Sequence, residues 1–84
     1  MSDLAGCQRN LDLYAAACYW KSAEDANKEA TDMVAQLRAR AVSAGASQDQ
    51  LVDAEQYASN CFMDGRKPLA AGHSFSDFRE RAAG

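Results

Sequence analysis

Between Asn10 and Ser43 the chain carries no glycine and no proline, and most of its residues are good helix formers. Within this run Tyr19, Ala23, Ala26, Ala30, Met33 and Leu37 recur at steps of four and three, the spacing that lines one face of an α-helix. Glu24, Asp25, Lys28, Glu29 and Asp32 fall between them, with Glu24 and Lys28 at i,i+4 in the favourable order. The run closes at Ser43-Ala44-Gly45-Ala46-Ser47. There Gly45 can take the left-handed conformation that ends a helix, and Ser47 with Gln50 forms a capping-box pattern for the next one. A second helix is predicted over 48–64, with Leu51, Ala54, Ala58 and Cys61 or Phe62 inside and Gly65 as its stop. Loop signals then fill 65–74, and a short helix over 75–82 starts from Ser74 or Ser76 with Phe75 and Phe78 on one side.

The fold class this pattern predicts is all-α: one domain, an antiparallel helical hairpin with a long first helix over 9–43 and a short C-terminal helix. Ser22 followed by Asp25 is also a capping-box pattern, and Leu11, Ala15 and Cys18 drift out of phase with the later seam. A break near Lys21, giving helices over 9–20 and 23–43, is therefore the competing reading, with the unbroken helix preferred.

Nine of the ten residues from Leu11 to Trp20 are apolar, so this stretch is hydrophobic around its whole circumference, and such a helix is normally buried. In a straight hairpin turning at 44–46, the second helix ends opposite Ala26, and about 15–20 Å of the first helix projects beyond it. Two arrangements cover that projection. Either a second copy does, giving a homodimeric bundle, or the tail folds back with Leu69, Phe75 and Phe78 and the aromatics are ordinary monomer core; both can also operate together, with tails and overhangs from two chains forming one larger core. The homodimer is preferred, with Leu11, Tyr14, Cys18, Tyr19, Trp20, Phe75 and Phe78 at a dimer or partner interface.

Composition sharpens this picture in two ways. Of the 84 residues 18 are alanine, none is isoleucine, and Leu, Val and Phe supply only 12, so the core is thin and help from a partner is expected. Three Val and one Thr are the only β-branched residues, which disfavours sheet. The net charge of −3 disfavours a sequence-independent grip on nucleic acid. The start of the chain lacks a basic leader, and the apolar stretch is too short to span a bilayer, so a cytoplasmic protein without membrane attachment is expected.

Candidate chemistry is sparse. Cys7, Cys18, Cys61 and His73 have soft-ligand side chains but no clip spacing, so neither a metal nor another cofactor is expected. Cys18 and Cys61 lie about 18 Å apart along a straight hairpin, too far to bridge, and read as small core fillers. Nothing in the pattern forces Cys61 against His73 as a nucleophile and base, and no enzymatic activity is expected. Glu24, Asp25, Glu29 and Asp32 form an acidic face able to steer a basic partner.

The leading functional expectation is a small regulator or inhibitor that binds another protein through a helical surface. A DNA-associated regulator or antitoxin-like repressor competes with it, although the helix after Ser47 offers Gln48, Asp49, Gln50, Asp53, Glu55 and Gln56 and no Lys or Arg before Arg66. A structural or assembly protein is the third class. In its alanine-rich composition, acidic balance, short helical hairpin and size, the chain resembles the small acidic helical proteins with which bacteriophages inhibit host machinery, such as anti-CRISPR and anti-quorum-sensing proteins. Those proteins share no motif, so the resemblance assigns no residue roles. It implies a host protein as the target.

Overall fold

A computed structural model of the chain describes residues 4–24 and 27–83. Among them the protein is all-α: α1 (Leu4–Ala23), α2 (Lys28–Ser43), α3 (Gln48–Met63), a 3-10 turn (Leu69–Ala71) and α4 (Phe75–Ala83). The long run of helix formers is thus two helices and not the single helix expected over 9–43. Its break falls between Ala23 and Lys28, a few residues beyond the competing site near Lys21. Asn27 restarts the helix: its extended backbone (φ −79, ψ 107) lets the side chain accept a hydrogen bond from the Ala30 N–H at 3.2 Å. An Asn in this position satisfies one of the four amides that every helix start leaves orphaned.

The break changes the packing. With the run divided, α1 lies between α2 and α3 and packs along both, while α2 and α3 share no extensive contact. Tyr14 meets Glu55 and Tyr19 meets Phe62, so α1 and α3 run in the same sense. The projecting end expected of a straight hairpin does not exist. Leu11, Leu13, Tyr14, Ala15, Ala16, Ala17 and Trp20 are all buried within this one chain.

Tail residues supply the remaining cover. Trp20 donates its indole N–H to the Ala71 carbonyl at 3.0 Å, the partner that a buried indole needs. Its ring stands edge-on to Phe75 at 6.3 Å, and Phe75 leads to the fully buried Phe78. The arrangement is therefore the one in which Phe75 and Phe78 fold back. Leu69, expected to join them, is 94% exposed.

Local signals at the joints act as the residue types require. Ser47 and Gln50 form a reciprocal capping box, with bonds of 3.2 and 2.8 Å. Gly45 (φ +103) and Gly65 (φ +72) close α2 and α3, each followed by a residue whose N–H reaches back to the helix, Ala46 to Ala41 and Arg66 to Cys61. On α3, Leu51, Ala58 and Cys61 are buried, Ala54 is half-buried, and Phe62 turns outward.

At α4, Ser74 Oγ accepts from the Asp77 N–H and Asp77 Oδ2 accepts from the His73 N–H. The Asp77 carboxylate occupies the space that a Cβ on Gly72 would need, and Gly72 has φ +73, so this joint requires glycine. Arg79 pairs with Glu29 at 2.8 Å and Arg40 donates to the Ala82 carbonyl at 3.2 Å, tying α4 to α2 through long side chains. No helix among the described residues is long and apolar enough to cross a membrane.

Two residues nine positions apart test this architecture. Phe78→Ala is expected to cost about 3–5 kcal/mol, a large share of the ~5–15 kcal/mol that holds a typical domain together. Leu69→Ala is expected to stay within about 0.5 kcal/mol of wild type. Urea unfolding followed by circular dichroism checks both, and comparable losses at the two positions would contradict the placement of the tail.

Candidate functional site

α1 is covered unevenly. The α1 sector between α3 and the 3-10 turn carries Gln8 and Asp12 as well as Leu11 and Ala15, and there the neighbouring elements leave an open groove of about 410 Å³. Its floor is core: Leu11 and Ala15 are buried on α1, Ala54 is half-buried on α3, and Pro68 is buried where the turn begins. Its α3 wall is Gln50, Asp53 and Tyr57, and its third wall is Pro68, Leu69 and Ala70.

The exposure of Leu69 follows from how the turn is held. Pro68 fixes the backbone at φ −57, Ala71 N–H bonds back to the Pro68 carbonyl at 3.0 Å, and the Ala71 carbonyl is taken by Trp20. With Ala71 fully buried at one end of this three-residue turn, Leu69 at the other end stands out on the lip of the groove. Tyr57, on the α3 wall, is 43% exposed. The charged groups among the lining residues are two carboxylates, Asp12 on α1 and Asp53 on α3, and none of the lining residues is Lys or Arg. Gln8 Nε2 donates to Asp12 Oδ1 at 2.8 Å, which orients that carboxylate on the rim.

A second hollow of about 420 Å³ separates α2 from α4, lined by Glu29, Asp32, Met33, Arg40 and Arg79 among others. Its arginines are committed within the chain, Arg79 to Glu29 and Arg40 to the Ala82 carbonyl. It serves to hold α4 and leaves less to offer a ligand.

A third cluster joins α1 to α3 through Tyr14, Cys18 and Glu55. The Tyr14 hydroxyl donates to Glu55 Oε2 at 2.5 Å. Burial, and then this bond to a carboxylate, push the Tyr14 hydroxyl well above the usual tyrosine range. Burial likewise raises the Cys18 thiol, with the neighbouring Tyr14 hydroxyl opposing the shift. A nucleophilic cysteine needs the reverse shift, so this cluster acts as a structural clasp.

The expected contact residues are thus mostly interior. Leu11, Tyr14, Trp20 and Phe78 are buried, and Cys18, Tyr19 and Phe75 are half-buried against the same core. Leu11 alone of this set lines the groove. Of the expected acidic face, Glu24 and Asp32 are exposed, Glu29 is engaged by Arg79, and Asp25 lies outside the described residues. Cys61 is fully buried and His73 is exposed; Cys7, Cys18 and Cys61 are free thiols. Among the described residues no three His, Cys, Asp or Glu side chains gather as metal ligands would.

Tyr57, Leu69, Asp12 and Asp53 are the site residues that sequence reasoning passed over. A faint signal existed at Leu69, a large apolar residue directly after Arg66-Lys67-Pro68 in a loop. Comparison with protein-family models, with curated proteins and with solved structures yields no match for this chain.

The clasp has a pH signature. In the folded chain Tyr14 stays protonated, whereas an unfolded tyrosine ionises near pH 10. The unfolded state therefore binds fewer protons above that value, and stability present below it is lost as pH rises past it. Cys18, raised from about 9, adds to the loss in the same direction. Urea midpoints measured on either side of pH 10 are expected to fall in wild type and to fall less in Tyr14→Phe. Parallel profiles would contradict the bond to Glu55.

Proposed function

We propose that this chain is a small helical module that binds another protein, seating a segment of it in the groove between α1, α3 and the 3-10 turn and so altering what that protein does. The observation that carries this reading is Leu69, a leucine 94% exposed yet held in place on the lip of a groove floored by core side chains. Folding gains nothing from that leucine, and exposed apolar surface bordering a concave site marks interaction surfaces more often than chance. Tyr57, on the α3 wall of the same groove, is a residue type enriched in binding hot spots.

The enclosure of α1 within its own chain removes the reason given above for a homodimer, and the reading does not need one. The carboxylates on the groove oppose phosphate contact, which disfavours the DNA-associated class for this surface. Inhibition, as the likeness to phage inhibitors implies, would follow if the seated segment is one that the partner needs free.

Site-specific photo-crosslinking tests the reading. A crosslinking residue in place of Leu69 is expected to capture a discrete partner in the source cell, whereas one in place of exposed Ala39 on α2 is not. Tyr57→Ser added to the first protein should lower the yield roughly tenfold or more with the helical signal unchanged. Equal capture from positions 69 and 39, or no effect of Tyr57→Ser, would overturn it.

A further inference from the structure

We infer that the occupant of this groove is a basic amphipathic segment of a different protein, in which one or more large apolar side chains are flanked by Lys or Arg. The inference rests on the docking reading above and adds the chemistry of the partner.

Charge placement carries it. Asp12 comes from α1 and Asp53 from α3, so a segment lying in the groove meets carboxylates on two separate elements. Asp12 is satisfied on one side by Gln8, and Asp53 has no ion-pair or hydrogen-bond partner among the described residues. Seating a neutral apolar segment would strip water from these carboxylates and return nothing, which costs free energy. An acidic segment, a nucleic acid or an anionic membrane would add repulsion. Lys or Arg on either side of an apolar anchor returns a charge-assisted bond to each wall while the anchor fills the space over Leu11, Ala15 and Ala54. Gln8 and Gln50 supply amides that can donate or accept beside it.

The same placement argues against a second copy as the occupant. A two-fold pair closing groove to groove would bring Leu69 against Leu69, but it would also confront Asp12 and Asp53 with their own duplicates. Four carboxylates would then share one desolvated seam, and like charges there are costly. Arg66 is paired with Asp64 at 3.2 Å, and neither it nor exposed Lys67, the basic residues that lead into the turn, lines the groove.

The experiment is selection of short random peptides displayed against the full chain, followed by titration of the enriched peptides into isotope-labelled protein. Expected are sequences with Leu, Phe or Trp beside Lys or Arg, amide shifts concentrated at Asp12, Ala54, Tyr57 and Leu69, and an affinity that drops as salt rises. The double variant Asp12→Asn with Asp53→Asn should weaken those peptides about tenfold while leaving the fold's urea midpoint unchanged. Peptides that seat in the groove but are neutral or acidic, or that ignore the double variant, overturn the basic partner and leave the docking reading standing. Peptides that map elsewhere, or no enrichment at all, overturn both. Concentration-dependent dimerisation in sedimentation, lost in Leu69→Ser, would make the occupant a second copy and overturn this inference.

Discussion

A helix that is apolar on every side must be enclosed on every side, and α1 sets that condition for the whole molecule. Residues 11–20 offer α2 one flank and α3 another, and the third is closed by the 3-10 turn and α4. Trp20 shows why the enclosure has to be specific as well as greasy. Its ring needs apolar neighbours and its N–H needs an acceptor, and the tail supplies both, Phe75 for the ring and the Ala71 carbonyl for the nitrogen. The order of the chain follows: α2 and α3 must leave a side of α1 open, and the last third of the sequence must travel back to cover it. The core that results is rich in small residues, with Ala16, Ala17, Ala30, Ala41 and Ala71 at 0% exposure, so helices approach closely and few large side chains do the filling.

The groove is a by-product of the same condition. Where α1 presents Gln8 and Asp12, full enclosure is not required, and the cover stops short. The groove lies at that margin, between the part of α1 that has to be dry and the part that need not be. This explains why its floor is core and its rim is polar. It also explains why the turn beside it can expose a leucine without loss: the turn is fixed by Ala71 and Trp20, and that fixing does not involve the Leu69 side chain.

Much of the fold was legible one joint at a time. The Ser47-to-Gln50 box, the stops at Gly45 and Gly65, the buried seam of α3 and the start of α4 at Ser74 each depend on residues close in sequence, and each is present. Asn27, the cap that restarts the helix, went unread; the competing break was placed near Lys21 on the Ser22-to-Asp25 pattern, and the helix propensity of the surrounding run outweighed it. That one joint governs everything distant. Read as straight, the run leaves Tyr14 and Trp20 beyond the reach of the second helix and in want of another chain. Read as bent, it places them in the centre. The groove was not legible, because Tyr57, Asp53, Asp12 and Leu69 come from three elements and become a site only once the bend sets α1 beside α3.

An occupant of this groove would touch α1, α3 and the turn together, the three elements whose mutual contact encloses the core. A chain of this size with so much alanine has little stability to spare, so a ligand that binds only the folded form acts on the fold as well as on its partner. At a free concentration one hundred times its dissociation constant, such a ligand adds about 2.7 kcal/mol, comparable to one large buried side chain. Binding and folding would then be coupled through Leu11 and Ala15, which are at once the floor of the site and part of the core. The direction of that coupling is fixed by the geometry: whatever fills the groove must favour the folded chain, because the groove exists only where α1, α3 and the turn meet.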